Sequence, residues 1–269
     1  MRLLVVACFA ALAAAALPPL VAADGPPQGV AQDGIGVVSP DGKTRYVTWT
    51  NGSNVVLEAV NTRDGTIVNE RVLHGPFSIP AIGYTPTGIT PDGKTLVVST
   101  WPWRSGPASF LVLSVPDFVT QRVVTLGGDA SWSFDAISPG ARTLFLIQSV
   151  TGGGYYRVRA YDLSLHRLLT RVIADRREEG PMVGSPAGRA QTRDGRWIYT
   201  LYERLDGSAF VHVLDAARGT AVCVDLKSQG WADPWDTRMW LSNGGRMLHV
   251  RQTELAVVLD TRAWRARAT

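Results

Sequence analysis

Short apolar runs recur at regular spacing along the chain, and each begins just after a turn rich in proline, aspartate or glycine. The clearest examples are TRYVTWT after the turn SPDG at 39–42, and TLVVST after TPDG at 90–93. Proline at the second turn position fixes φ, aspartate bonds the nearby backbone, and glycine accepts a positive φ. The pattern predicts a tight hairpin turn followed by a strand at both places.

The same turn and strand recur in weaker form three more times. SPGARTLFLIQ begins at Ser138, TRDGRWIYTLY at Thr192 and SNGGRMLHVRQ at Ser242. The five copies therefore start at intervals of about fifty residues. A fixed period of this length indicates a repeat architecture.

Two further strand-like runs follow most of the turns. One usually ends on Asp or Asn, as in VVLEAVNT, and the next resembles TAVCVDL. Together with the strand before the turn, each repeat holds four short strands, and the sequence predicts no significant helix after the N-terminal segment. Four strands per fifty residues are typical of an all-β β-propeller, in which each sheet covers its neighbour. A β-sandwich is the alternative, but sandwiches do not repeat at this period.

We expect one propeller domain over 24–269, with about five four-stranded blades. A ring that has lost blades, and is open or dimerised, is the alternative to a closed monomer. The C-terminal RAWRARAT is expected to supply the outer strand of the last blade, with the segment before Gly34 as the alternative. The approximate blade bounds are 34–75, 83–127, 132–175, 188–227 and 237–269.

The N-terminus is typical of a secretory signal peptide over 1–23. Arg2 is followed by an apolar run, and Val21-Ala22-Ala23 precedes Asp24 in a form that signal peptidase accepts. Pro18-Pro19 interrupts the run and argues against a permanent membrane span. We therefore expect a secreted, extracytoplasmic protein without a membrane span in the mature chain. Of the two cysteines, cleavage would leave Cys223, which is expected to be a buried structural thiol.

The positive charge does not indicate a nucleic-acid partner. The net charge is +4, with 24 arginines and 3 lysines. Nucleic-acid binding uses basic residues clustered on one face, whereas these arginines are scattered. The codon bias of a GC-rich bacterial genome accounts for the composition.

The first repeat resembles a known family. SPDGKTRYVTW at 39–49 resembles the Tyr-Val-Thr-Asn (YVTN) repeat of bacterial secreted propellers, with Trp49 in place of the asparagine. VVLDTR at 257–262 is similar to the later part of that motif. The likeness to WD-repeat propellers is looser, because their Trp-Asp signature is missing. The resemblance implies a propeller fold but little chemistry, because its members include binding, surface-layer and uncharacterised proteins.

The loops on the face opposite the turns hold the candidate binding residues. The segments 74–84, 101–107, 175–190 and 228–237 are predicted to be these loops. Loops rich in Trp, Arg and Asp above a rigid ring often collect ligand contacts, and tryptophan offers a flat apolar platform. Packing of the tryptophans between blades is the alternative. The predicted ligand-binding residues are Trp101, Trp103, Arg104, Trp231, Asp233, Trp235 and Asp236.

Catalytic signatures are sparse. The four histidines are far apart in sequence, and neither a nucleophile-elbow motif nor a phosphate-binding loop is present. No cofactor is predicted, although Asp135, in the predicted first strand SFDAIS, could be a calcium ligand in a lactonase-type channel. The sequence favours a non-enzymatic binding module of the bacterial cell envelope, with a glycan or protein partner, and leaves the question of catalysis open. The alternative is a metal-dependent hydrolase or lactonase with a site in the axial channel.

Overall fold

A computed structural model describes residues 36–51, 53–100, 107–150, 155–175, 182–231 and 236–268. The predicted signal peptide at 1–23 lies outside this part of the chain. The described residues are almost entirely β-structure, with one short 3-10 turn at Asn243–Gly245. The prediction of an all-β chain is confirmed for them.

The described strands form five larger antiparallel sheets and one two-stranded hairpin, and each larger sheet is built from strands that lie close together in the sequence. The first sheet contains β1 (Gly36–Val38), β2 (Thr44–Asn51), β3 (Asn54–Asn61) and β4 (Ile67–His74). The second contains β5 (Phe77–Ser78), β8 (Thr95–Thr100), β9 (Ala108–Ser114) and β10 (Thr120–Leu126), and a small hairpin of β6 (Ala81–Ile82) and β7 (Thr85–Pro86) follows β5.

The remaining three sheets follow the same strand order. The third contains β11 (Ala130–Ile137), β12 (Thr143–Val150), β13 (Tyr155–Asp162) and β14 (Arg167–Ile173), with β15 (Met182–Val183) also paired to β13. The fourth contains β16 (Ser185–Gln191), β17 (Trp197–Glu203), β18 (Ala209–Asp215) and β19 (Thr220–Leu226). The fifth contains β20 (Arg238–Ser242), β21 (Met247–Gln252), β22 (Leu255–Asp260) and β23 (Arg265–Ala268).

The repeated turn directly precedes the second strand of each sheet, and in the first, second and fourth sheets its own hydroxyl and carboxylate close it. In the first sheet, the Ser39 hydroxyl donates to the Asp41 carboxylate at 2.6 Å and accepts from the Thr44 amide at 3.0 Å. Thr90 and Thr192 make the same two bonds in the second and fourth sheets. These local bonds explain why the turn motif could be recognised from sequence.

Each sheet shares an apolar core with the next sheet along the chain, so that the second, third and fourth sheets are covered on both faces. In β8, Leu96 and Val98 pack into the core between the first and second sheets, while Val97 packs into the core between the second and third. Side chains alternate across a strand, which is why a continuous apolar run such as TLVVST serves both neighbours. Similar cores join the third sheet to the fourth and the fourth to the fifth. Within the described ranges, no core cluster joins the fifth sheet to the first.

Two predicted loops contain strands instead. Phe77–Ser78, within 74–84, is the first strand of the second sheet. Ser185–Gln191, which overlaps 175–190, is the first strand of the fourth sheet. Both segments are rich in proline and glycine, and this loop-like composition hid their pairing in the sheets. The prediction for the C-terminal segment is confirmed, because Arg265–Ala268 pairs with β22 as the fourth strand of the last sheet.

Candidate functional site

A pocket of about 490 Å³ lies between β1 of the first sheet, β16 of the fourth sheet and the segment 85–91, which contains β7 and part of the turn before β8. Two of these strands, β1 and β16, are hydrogen-bonded in their sheets on one side only. A strand that pairs on one side leaves backbone N–H and C=O groups available along its other edge. The lining residues are 36–38 and 40 of the first sheet, 85–91 of the second, and 189–193 of the fourth.

The pocket wall combines apolar and hydrogen-bonding groups. Pro86 and Ile89 supply apolar surface, Thr85 and Gln191 supply polar side chains, and the exposed Arg193 supplies a positive charge. This mixture suits a ligand that needs both orientation by hydrogen bonds and apolar contact.

The pocket wall is held close to its sheet by a glycine. Gly88 has φ +107°, and a Cβ atom there would lie 2.7 Å from the carbonyl oxygen of Val97. No other residue type fits this position without moving the strand, because the near atom belongs to the backbone. The shape of the pocket wall is therefore set by the backbone of the second sheet.

Behind the pocket, a buried ion pair joins the first strands of the third and fourth sheets. Nη2 of Arg189 donates to Oδ1 of Asp135 at 2.7 Å, and Nη1 donates to the backbone carbonyl of Asp135. The two side chains are only 2% and 1% exposed. In such a site the loss of either partner leaves the other charge buried without compensation.

An aromatic cluster continues from this ion pair into the core. Tyr156 stacks on Tyr202 with a ring distance of 4.3 Å, and His212 meets Tyr202 edge-on at 6.2 Å. Burial lowers the pKa of His212, although Asp135 acts in the opposite direction, so the imidazole is neutral near pH 7. Burial also raises the pKa of both tyrosines, which therefore stay protonated. Both tyrosine hydroxyls and His212 Nε2 are buried without a hydrogen-bond partner among the described residues.

Asp135 does not fit the calcium role considered for it. Its carboxylate already binds the Arg189 guanidinium, which would repel a metal cation at the same place. Among the described residues, no group of three or more His, Cys, Asp or Glu side chains is placed to hold a metal ion. Asp135 therefore serves the junction between two sheets, and we derive no metal-dependent step from it.

The predicted loop residues fall into two groups. The structure places Trp231 in the core between the fourth and fifth sheets, 1% exposed, with its indole N–H donating to the carbonyl of Ser228 at 3.1 Å. The packing alternative therefore describes Trp231. Five predicted residues lie outside the described part of the chain: Trp101, Trp103, Arg104, Asp233 and Trp235.

Asp236, the remaining predicted binding residue, has a local structural role. It accepts bonds from the amide of Thr253 at 2.6 Å and from the Thr253 hydroxyl at 3.0 Å. These bonds lower the pKa of Asp236 and connect the start of the fifth sheet to the turn after β21. Cys223 is buried, as predicted, and forms no disulfide with another described residue.

Arg189 is the main residue that the sequence did not reveal. It lies in the predicted loop 175–190, and its partner Asp135 is 54 positions away. One signal was present: Ala187 and Arg189 occupy alternate positions of a short run that ends just before the turn motif at Thr192. A strand was expected at that place because every other turn follows one.

No protein-family model matches the sequence, and no curated protein matches it either. Solved structures do resemble it. Hydrazine synthase from Kuenenia stuttgartiensis is 17% identical, with a TM-score of 0.54 over 91% of this chain and 69% of that one. TolB from Acinetobacter baumannii is 15% identical, with a TM-score of 0.51 over 86% of this chain and 52% of that one.

The periplasmic gluconolactonase PpgL from Pseudomonas aeruginosa is a third such structure, 19% identical, with a TM-score of 0.51 over 87% of this chain and 70% of that one. This chain therefore spans about half of TolB and about 70% of the other two. The likenesses show a fold of the β-propeller type. No helix within the described ranges is long and apolar enough to cross a membrane.

Proposed function

We propose that this chain is an extracytoplasmic β-propeller of the YVTN type that acts as a binding module of the bacterial cell envelope. Its five sheets are the blades of a single domain, and the protein is a monomer without catalytic activity. The observation that carries the proposal is the pocket between β1, β16 and the segment 85–91, where strand edges, apolar side chains and Arg193 meet.

The ligand that fits this pocket best is a short extended segment of an envelope protein. Free strand edges offer alternating donors and acceptors, which is the pattern that an extended peptide recognises. The volume of about 490 Å³ lies in the usual range for ligand pockets. Arg193 at the rim favours an acidic side chain or a terminal carboxylate in the ligand.

The predicted signal peptide supports the extracytoplasmic location, and so does the likeness to a gluconolactonase described as periplasmic, while the likeness to TolB supports the fold. Because identity to both is below 20%, neither likeness carries an activity to this chain. The YVTN assignment depends on the repeat at 39–49.

The proposal is tested by a thermal-shift screen that compares the wild type with a variant in which a larger side chain fills the pocket. The probes are synthetic peptides from the termini and loops of envelope proteins, together with peptidoglycan fragments. A ligand that binds only the folded protein raises its melting temperature. Val38, 46% exposed on the pocket wall, is changed to tryptophan to fill the pocket, and Val123, 58% exposed on β10, is changed to tryptophan as the matched control.

We expect a peptide to raise the melting temperature of the wild type and of Val123→Trp, but not of Val38→Trp. Loss of the shift in both variants would contradict pocket binding. A shift from peptidoglycan fragments alone would replace the peptide with a glycan as the ligand.

The alternative function is a hydrolase or lactonase, and the likeness to PpgL favours considering it. The same screen therefore includes calcium, zinc and EDTA, together with a direct assay of lactone hydrolysis. If calcium or zinc raises the melting temperature, EDTA lowers it and the lactone is hydrolysed, the binding-module proposal is wrong.

A further inference from the structure

The fifth sheet has two faces of different character. Met239, Leu241 and Leu248 pack into the core shared with the fourth sheet. The alternate positions Arg238 and Trp240 lie on the opposite face and are exposed. This second face, which we call the outer face of the fifth sheet, carries one carboxylate and four arginines among its residues: Arg238, Trp240, Ser242, Met247, His249, Arg251, Ala256, Val258, Asp260, Arg265 and Arg267.

Trp240 is an exposed but firmly held ring on this face. Its side chain is 45% exposed, and its indole lies parallel to the imidazole of His249, with ring centres 4.9 Å apart and planes 3° apart. The His249 Nε2 atom is in turn 2.7 Å from the Ser242 hydroxyl. One side of the indole is covered by the imidazole, so the exposed area can serve as a flat apolar platform that needs no ordering on binding.

Arginines flank this platform. Arg238 and Arg251 are directly opposite each other on β20 and β21, and both are exposed. Like charges directly opposite on neighbouring strands destabilise a sheet. Neither arginine forms an ion pair with another described residue. The positive charges of both arginines help to lower the pKa of Asp236, but the carboxylate of Asp236 is hydrogen-bonded to Thr253.

Positive charge continues across the sheet. In the row of paired positions that runs from Trp240 through His249 and Val258, the last residue is Arg267, which is also exposed. The nearest carboxylate on β22, Asp260, is engaged by turn amides and lies 3.8 Å from Arg246. The outer face of the fifth sheet is thus a rigid aromatic platform within a net positive surface.

We propose that this face binds an anionic polysaccharide whose sugar units carry carboxylates. A sugar ring stacks on the exposed side of Trp240, and the guanidinium groups of Arg238, Arg251 and Arg267 pair with carboxylates along the polymer. A planar guanidinium group can donate two parallel hydrogen bonds to one carboxylate. Charge and hydrogen-bond geometry therefore both favour a polymer that carries carboxylates. This site is separate from the pocket and does not depend on the proposed function.

Binding of polygalacturonate oligosaccharides, measured by calorimetry at low ionic strength, tests this site. The fully methyl-esterified oligosaccharide is the matched control ligand, because it keeps the sugar chain and loses the charges. The variants are Trp240→Ala and Arg251→Gln, and the matched control is Arg262→Gln, an exposed arginine in the turn between β22 and β23. Circular dichroism and melting temperature confirm that each variant is folded.

We expect wild type and Arg262→Gln to bind the acidic oligosaccharide equally, and Trp240→Ala and Arg251→Gln to bind it about tenfold more weakly. The ester should bind much more weakly than the acid, and added salt should weaken binding of the acid. Equal binding of acid and ester, or an equal loss in Arg262→Gln, would overturn the proposal.

Two further results would also overturn it and would identify another occupant. Binding to vesicles of phosphatidylglycerol without binding to the oligosaccharide would assign the face to a membrane surface. A concentration-dependent dimer in light scattering that Trp240→Ala abolishes, with no oligosaccharide binding, would assign it to a second copy of the chain.

Discussion

The junction between the third and fourth sheets and the junction between the fourth and fifth join similar strands by different means. The first contains the Arg189–Asp135 ion pair, two stacked tyrosines and a buried histidine. The second is an apolar core around residues such as Trp231 and Leu259. Both are closely packed, and the second also buries the Tyr199 ring, but of the two only the first contains an ion pair whose two side chains are both buried, among the residues that the structure describes. The response of each junction to mutation or pH therefore depends on which groups are buried there, and not only on how closely the side chains pack.

The ion pair has a specific consequence for sheet order. An apolar junction tolerates small shifts of one sheet over another, because dispersion contacts are not directional. A buried guanidinium that bonds both the side chain and the backbone carbonyl of Asp135 accepts one alignment only. The first junction thus fixes the relative position of two first strands, one of which also lines the pocket. The predictions below test this difference.

The largest effect is expected from Arg189→Leu. This change leaves Asp135 charged and buried, and should lower the free energy of unfolding by about 3–5 kcal/mol. The double variant Asp135→Leu, Arg189→Met should lose clearly less, because it removes both charges. Urea denaturation of the single and double variants measures the difference.

The matched control for this change is Arg204→Leu. Arg204 pairs with Asp225 at 3.1 Å on the surface, with the two side chains 27% and 66% exposed. Its loss should cost less than about 1 kcal/mol. If the double variant were as unstable as Arg189→Leu, the buried charge would not be the cause.

A somewhat smaller effect is expected from Leu259→Ala in the apolar junction. Leu259 is fully buried, and its truncation should cost about 3 kcal/mol through lost transfer energy and a residual cavity. Because no ionisable group in its core changes state, this loss should be the same at pH 7.5 and pH 5.5. Urea midpoints at both pH values check it, with the exposed Val123→Ala as the control. A loss that differs between the two pH values would show that the junctions are coupled.

The smallest effect is the pH dependence that His212 gives to the polar junction. The pKa of His212 is lowered in the folded state. Below the unfolded value near 6.5, the unfolded chain therefore binds more protons than the folded protein, and the free energy of unfolding decreases as the pH is lowered. The loss between pH 6.5 and pH 5.5 should be at most about 1 kcal/mol, because the unfolded imidazole is already half protonated at pH 6.5. Asp135 and Asp175 oppose the lowered pKa, whereas Arg189 acts with burial.

The measurement is the unfolding free energy of the wild type and of His212→Gln across this pH range. The variant should be less stable at pH 7.5 but should lose less on acidification. His166→Gln, at an exposed turn position, serves as the control and should keep the wild-type slope. An unchanged slope in His212→Gln would assign the pH dependence to other groups.

The fold was predictable where the information is local. The turn at Ser39 is closed by Asp41 and Thr44, all within six residues, so its copies could be read directly. The strand TLVVST was predictable because both of its faces are buried. A strand was expected before the turn at Thr192, but its start at Ser185 was not, because the composition of SPAGRAQ is that of a loop and only the pairing with β17 shows the strand.

The candidate sites were less predictable for the same reason. The pocket unites three segments that are about fifty or more residues apart, and none of them has a recognisable ligand motif. Asp135 was noticed as an acid on a first strand, but the sequence did not show that Arg189 neutralises it. Trp231 was noticed as an aromatic loop residue, and the structure shows that it fills a core. Composition alone cannot separate a ring that packs from a ring that binds.

The self-contained turn also has a consequence for the order of folding. Each sheet is assembled from strands that lie close together in the sequence, and in the first, second and fourth sheets the hydroxyl, carboxylate and glycine of the turn lie within a few residues. Such contacts have a small loop-closure cost, so we expect individual sheets to form early and independently. The Arg189–Asp135 contact spans 54 positions and requires two finished sheets. Its formation should therefore be a late event, in which separate hairpins become a single aligned body.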